Sequence, residues 1–181
     1  MTEQKEFKCK WLTPIITLDE YDNNWEKYND KLYEIFVRDF ITNKLFFNNK
    51  KVCIRTNPKQ NNYEHAFIHL TCISTKMSND PNDRIPDFRR CERLEWNREI
   101  IENYICKNNC TNCRKILYYE HYYKNRIRIN LVFADVRFKV ILEKRKNYYL
   151  LITGYYIEFD HTLKKEINKA ELFRKQKTPL D

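Results

Sequence analysis

Residues 126–157 read RIRINLVFADVRFKVILEKRKNYYLLITGYYI, and their alternation decides the fold. Ile127, Ile129, Leu131 and Phe133 alternate with Arg126, Arg128 and Asn130. Val136, Phe138, Val140 and Leu142 alternate with Arg137, Lys139 and Glu143. Successive side chains on a strand point to opposite faces, so a period of two predicts strands with one buried face. Two further β-type segments, 115–122 and 148–157, flank this pair. The links between them are short, which favours antiparallel neighbours and predicts a four-stranded meander.

Helical patterns surround the predicted sheet. Thr17 and Glu20 form a capping-box pattern, and Trp25, Tyr28, Leu32, Phe36 and Phe40 follow at steps of three and four, predicting a helix out to about Lys44. A turn at 48–51 leads into a short strand at 52–56 and a loop at 57–62. Residues 63–74 fit either a strand or a short helix, and 78–86 have the composition of a surface loop. Asp87 is a candidate N-cap for a helix to about Ile105, and residues 162–176 form a basic last helix. Residues 8–16 are expected to be a strand or an extended packing arm. The expected class is α+β, with N-terminal helices on a four-stranded antiparallel sheet and a C-terminal basic helix. With 181 residues and 42% hydrophobic side chains, one domain over 1–181 suffices, divided into an N-terminal helical part, 1–48, and a core, 49–181.

The chain carries 34 basic and 25 acidic side chains, a formal net charge of +9. Residues 114–181 hold 16 of the basic groups and only 8 of the acidic ones, so nearly all the excess lies in the last third. A local positive field of this kind attracts polyanions, with RNA as the expected partner. The longest apolar stretch, 148–157, is far below the ~20 residues of a membrane span, and no signal-peptide pattern follows Met1. The expected location is the cytoplasm, with no membrane partner. Seven cysteines, an odd number, then point to free thiols or metal ligands rather than a disulfide framework.

Three constellations could carry chemistry. Cys106, Cys110 and Cys113 have spacing suited to a structural zinc, with Cys91 or His121 as the fourth ligand, against the plainer reading of free thiols. His65 and His69 share a face whether 63–74 is helix or strand. No carboxylate lies between them as in a zinc-protease motif, but either imidazole can transfer protons near neutral pH. Around the last hairpin stand Arg145, Thr153, Tyr155, Tyr156, His161, Lys164 and Lys165. These are residue types that could hold a developing phosphorane charge and move protons.

Three segments taken together, AFIHLTC at 66–72, RRCERLEWNREIIEN at 89–103 and EKRKNYYLLITGYYIE at 143–158, resemble the phage- and plasmid-borne branch of the barnase, EndoU, colicin D and RelE-like nuclease superfamily. The resemblance runs in order over roughly 45–175. It implies N-terminal helices before a four-stranded antiparallel sheet, and a metal-independent RNase acting as a toxin or phage host-takeover factor on RNA, in some cases tRNA. By this resemblance His69 is the motif histidine and Arg93 the basic residue of the central helix. Arg145 is the arginine before the last strand, Thr153 the hydroxyl within it, and Lys164 or Lys165 the basic residue after it. Gly154 departs from the pattern, which leads one to expect alanine.

The expected function is therefore an endoribonuclease cleaving by 2′-OH transesterification without a catalytic cofactor. His69 is base or acid, Arg93 and Arg145 are phosphate clamps, Thr153 is a donor, and Tyr156 or His161 is the complementary proton-transfer group. Lys164, Lys165, Arg126 and Arg128 are expected to bind RNA. The alternative is a non-catalytic RNA- or protein-binding module that inhibits a host factor; an antitoxin or host protein is a further expected partner.

Overall fold

The computed structural model describes residues 11–75, 83–105 and 116–177. Its elements in order are α1 (Trp25–Phe36), β1 (Leu45–Phe47), β2 (Lys50–Cys53), α2 (His65–Thr71), β3 (Cys72–Ser74), β4 (Arg84–Pro86), α3 (Phe88–Cys91), α4 (Trp96–Glu102), β5 (Ile116–Tyr123), β6 (Arg126–Phe133), β7 (Phe138–Lys144), β8 (Tyr149–Tyr156) and α5 (Asp160–Lys177). No helix among these residues is long and apolar enough to cross a membrane.

The expected meander is present as β5-β6-β7-β8, each pair antiparallel. Tyr123 faces Arg126 across a two-residue turn in which Lys124 and Asn125 both have positive φ, the backbone that matches strand twist. The sheet, however, has six strands rather than four, in the order β1-β2-β8-β7-β6-β5. A hairpin of β1 and β2, closed by Asn48 and Asn49 at positive φ, lays β2 parallel to the start of β8 through Val52 and Cys53. These strands have three and four residues, too few for alternation to register, and their hairpin crosses the expected 48/49 division.

The predicted first helix is interrupted near its start, and from residue 25 it runs as expected through α1 and a π-helical segment to 42. Glu20 accepts hydrogen bonds from the Thr17 amide at 2.8 Å and hydroxyl at 2.9 Å, but the turn they close is a 3-10 turn over 18–21. Asp22 and Asn23 then take left-handed backbone, which short polar side chains tolerate, and Asn24 caps α1 by accepting from the Lys27 amide. The helix expected over 87–105 is likewise two short helices, with a turn at 92–95. Residues 63–74 are both of the expected alternatives in succession, α2 then β3, and β3 pairs with β4 in a small hairpin of its own. Residues 11–16 are a packing arm: Trp11 stacks on Phe133, and Thr13 is held by Glu99 and Trp96.

Three layers result. One face of the meander, with Leu131, Phe133, Phe138, Val140 and Leu142 fully buried, packs in the main core with Tyr28, Leu32 and Phe36 of α1 and Ile100 of α4. Each such side chain contributes about 1.5–3 kcal/mol by leaving water. The other face carries Asn130, Val132 and Lys139 beneath α5. Gly154 is required by close approach: a Cβ there would lie 1.8 Å from Asn97 Oδ1 and 3.2 Å from Phe138. Beyond Leu150, no strand among the described residues pairs with the outer side of β8, and α2 and α3 pack against it there.

Candidate active site

Helix α2 begins after a tight exit from the 57–62 loop, with the His65 and Ala66 amides bonded to the Thr56 and Arg55 carbonyls. Glu64 is fixed below it by Tyr33 and Lys59, at 2.9 and 3.0 Å. One helical turn apart, His65 and His69 stack with ring centroids 4.0 Å apart and an 18° tilt. Both rings line a cavity of about 430 Å³ with Pro58, Lys59, Gln60 and Arg84.

Arg84 enters from the β3–β4 hairpin. One of its Nη atoms donates to the Cys72 carbonyl at 3.2 Å, its Nε is buried without a hydrogen-bond partner, and no carboxylate pairs with it among the described residues. A guanidinium so placed is positioned for an anion.

The His69 backbone ties this pocket to the open edge of β8. Its carbonyl accepts from Arg90 Nη1 at 3.0 Å and from the Thr153 hydroxyl at 3.1 Å, while Arg90 Nη1 also donates to Thr153 Oγ1 at 2.9 Å. Arg90 is held in turn by Asp87, the N-cap of α3, and lies over the Tyr155 ring. Burial, followed by the charges of Arg84, His65, Arg55 and Arg90, pushes the His69 pKa down to about 4. Burial with Arg55 and Arg84 lowers that of His65 as well. Two imidazolium ions at this spacing among arginines would repel strongly, so the pair holds at most one proton, and His69 is neutral at pH 7.

The other expected residues divide among separate places. Arg93 lies over the Trp96 and Tyr156 rings and pairs with Glu92, and Arg89 covers the same Tyr156; Tyr156 is therefore on the α3 side of β8 with two arginines. Arg145 sits in the β7–β8 turn, paired with the buried Glu143, which also binds Arg128 at 2.9 Å. From Tyr149 to Thr153 the strand advances roughly 13 Å, so Arg145 and Thr153 lie well apart. His161 is exposed in the first turn of α5, stacked on Phe159, and Lys164, Lys165 and Arg126 are exposed.

Cys91 is fully buried, its thiol donating to the Thr71 carbonyl, and burial raises its pKa. Cys106, Cys110 and Cys113 lie outside the described residues. His121 contacts the Asn130 amide at 3.0 Å. No cluster of three or more metal-binding side chains occurs among the described residues.

Sequence reasoning missed Arg84 and Arg90. The signal for Arg90 was the Arg-Arg pair after the Asp87 cap, where one arginine must face inward. For Arg84 there was none, because its approach depends on the β3–β4 pairing. A second and larger cleft, of about 750 Å³, lies between the sheet and α5. Family models, curated proteins and solved structures offer no match to this chain, so its function is read from the geometry and the sequence motifs.

Proposed function

We propose that the protein is a metal-independent endoribonuclease, cleaving RNA by attack of a ribose 2′-OH on the adjacent phosphate, with its site at His65, His69, Arg84, Arg90 and Thr153. The observation that carries the reading is the stacked His65–His69 pair beside a guanidinium that has no carboxylate partner among the described residues. Such a pocket suits a phosphodiester: Arg84 donates to a non-bridging oxygen, and the bound anion offsets the cations that disfavour protonation of the histidines.

Because repulsion allows the pair at most one proton, the roles separate. His69, the more depressed of the two, takes the 2′-OH proton. His65 carries the proton delivered to the leaving 5′ oxygen once phosphate has raised its pKa. Arg90 and Thr153 are positioning residues that fix the His69 backbone against β8. Arg93 and Arg145 are already engaged by Glu92 and Glu143; Arg93 packs over Tyr156 beside the site, and Arg145 serves the distant β7–β8 turn. Exposed Lys164, Lys165 and Arg126 add a non-specific RNA surface.

The test is cleavage of a mixed RNA pool in EDTA by the parent, His69→Ala and Arg84→Ala. The variants should lose about 10²–10⁴-fold and 10²–10³-fold in rate, respectively, with unchanged melting. RNA binding without cleavage by the parent would replace this reading with the non-catalytic binding module.

A further inference from the structure

The cleft under α5 has a different chemistry from the histidine pocket. Its volume, about 750 Å³, lies in the range of small-molecule sites. Tyr119 and Tyr155 from the sheet and Phe173 from α5 supply aromatic walls. Lys139, 5% exposed, lies at its base with Nζ donating to Glu166 at 2.6 Å and to the Tyr119 hydroxyl at 3.0 Å. An ammonium has three donors, so one N–H remains beyond these two.

Glu166 is pushed up by burial, but hydrogen bonds from Lys139, Tyr119 and Lys169 outweigh this and hold its pKa below the ordinary carboxylate value. Burial lowers the pKa of Lys139, and Glu166 opposes the shift. Arg128 at the rim is matched by Glu143. At the base of the cleft the buried Lys139 is thus compensated by Glu166, while Lys169 and Arg128 are cations nearer its rim.

The second polar group is Asn130, which has 0% exposure. Its Nδ2 lies 3.4 Å from both the Tyr119 and Arg128 carbonyls and 3.0 Å from His121 Nδ1, which assigns the amide orientation. Its Oδ1 has no partner. A buried carbonyl left unpaired is costly, and one lining a cleft is an acceptor awaiting a donor. Asn130 pairs with Ile141, and Lys139 stands two residues further along β7 on the same face. The two groups are therefore diagonal neighbours, about 7–8 Å apart at the backbone.

We infer that this cleft binds a neutral planar nitrogen heterocycle presenting a ring N–H beside a carbonyl, the edge carried by guanine, stacked among Tyr119, Tyr155 and Phe173. The ring N–H donates to Asn130 Oδ1, and the carbonyl accepts from Lys139. None of the residues proposed for cleavage lines this cleft, although Arg90 lies over the Tyr155 ring that walls it.

Guanosine, 1-methylguanosine and adenosine are titrated into the full-length protein by calorimetry, with saturating inorganic phosphate present to occupy the histidine pocket. Guanosine should bind. 1-Methylguanosine, without the ring N–H, and adenosine, without the carbonyl, should each bind at least about tenfold more weakly, the effect of one lost buried hydrogen bond. Leu172, 59% exposed at the mouth, allows the cleft to be closed without disturbing the core, and Leu172→Trp should weaken guanosine by a similar factor. Absence of guanosine binding, equal binding of the three nucleosides, or unchanged binding by Leu172→Trp would each overturn the inference, whatever the outcome for RNA cleavage.

Discussion

Gly154→Ala restores the residue that the resemblance leads one to expect, yet it should destabilise this chain. The added methyl would stand 1.8 Å from Asn97 Oδ1 and 2.8 Å from Asn97 Cγ. Asn97 has no room to turn away: it has 0% exposure, and its Nδ2 is bonded to the Leu94 carbonyl at 3.0 Å. Overpacking of this kind costs about 1–3 kcal/mol. Asn97→Ala deletes the obstructing amide and its unpartnered buried Oδ1, so the cost of losing the Leu94 bond is partly offset, and the single change should cost about 1 kcal/mol or less. In the double variant the new methyl enters the vacated space. Urea denaturation of the four proteins should therefore give a favourable coupling of about 1–3 kcal/mol, read from the midpoints at constant slope. Additive effects, or a Gly154→Ala protein as stable as the parent, would show that Asn97 is not what excludes a side chain at 154.

Further outcomes follow from the same geometry. His69 has a folded pKa of about 4 against 6.5 when unfolded, so the unfolded chain binds the proton first, and stability falls as pH drops from about 6.5 to 4. Full enclosure would make this about 3 kcal/mol; a half-buried ring should give about half, seen as a pH-dependent midpoint that flattens in His69→Phe. Glu99 has the opposite sign: burial raises its pKa to about 7, despite hydrogen bonds from Thr13, so stability is lost as pH rises from 4.5 through 7. Glu99→Gln should gain about 1–2 kcal/mol at pH 8 and nothing at pH 4, measured by denaturant titration at both values. Thr153→Val removes the donor to the His69 carbonyl and should lower cleavage more than it lowers RNA affinity, in rate and filter-binding measurements. Neutralising Lys164 and Lys165 together should reduce the salt dependence of RNA binding by roughly two phosphate contacts, and an unchanged slope would place the RNA elsewhere.

The meander was legible because β6 and β7 alternate cleanly over seven or eight residues, and no other structure satisfies that period. The β1–β2 hairpin was not, since its pairing with β8 joins residues about a hundred positions apart and leaves no local trace. Within the site, the helical spacing of His65 and His69 predicted a shared face correctly. Arg145 read as a free clamp because the sequence does not reveal that Glu143, on an outward-alternating position, is buried and pairs with both Arg128 and Arg145. Lys139 alternates with the apolar set and so falls on the face away from the main core, and α5 covers it. Period two reports which residues share a face, and the partner that covers that face is decided by tertiary packing.

The central claim is that a ribose hydroxyl is the nucleophile and that the stacked histidines move its proton. It is tested most directly by presenting the protein, in EDTA, with an RNA it cleaves and with the same strand carrying 2′-deoxyribose at the scissile nucleotide. The account predicts cleavage of the first, with 2′,3′-cyclic phosphate ends and a rate lost in His69→Ala, and no cleavage of the second. Equal cleavage of the deoxy-substituted strand would contradict it.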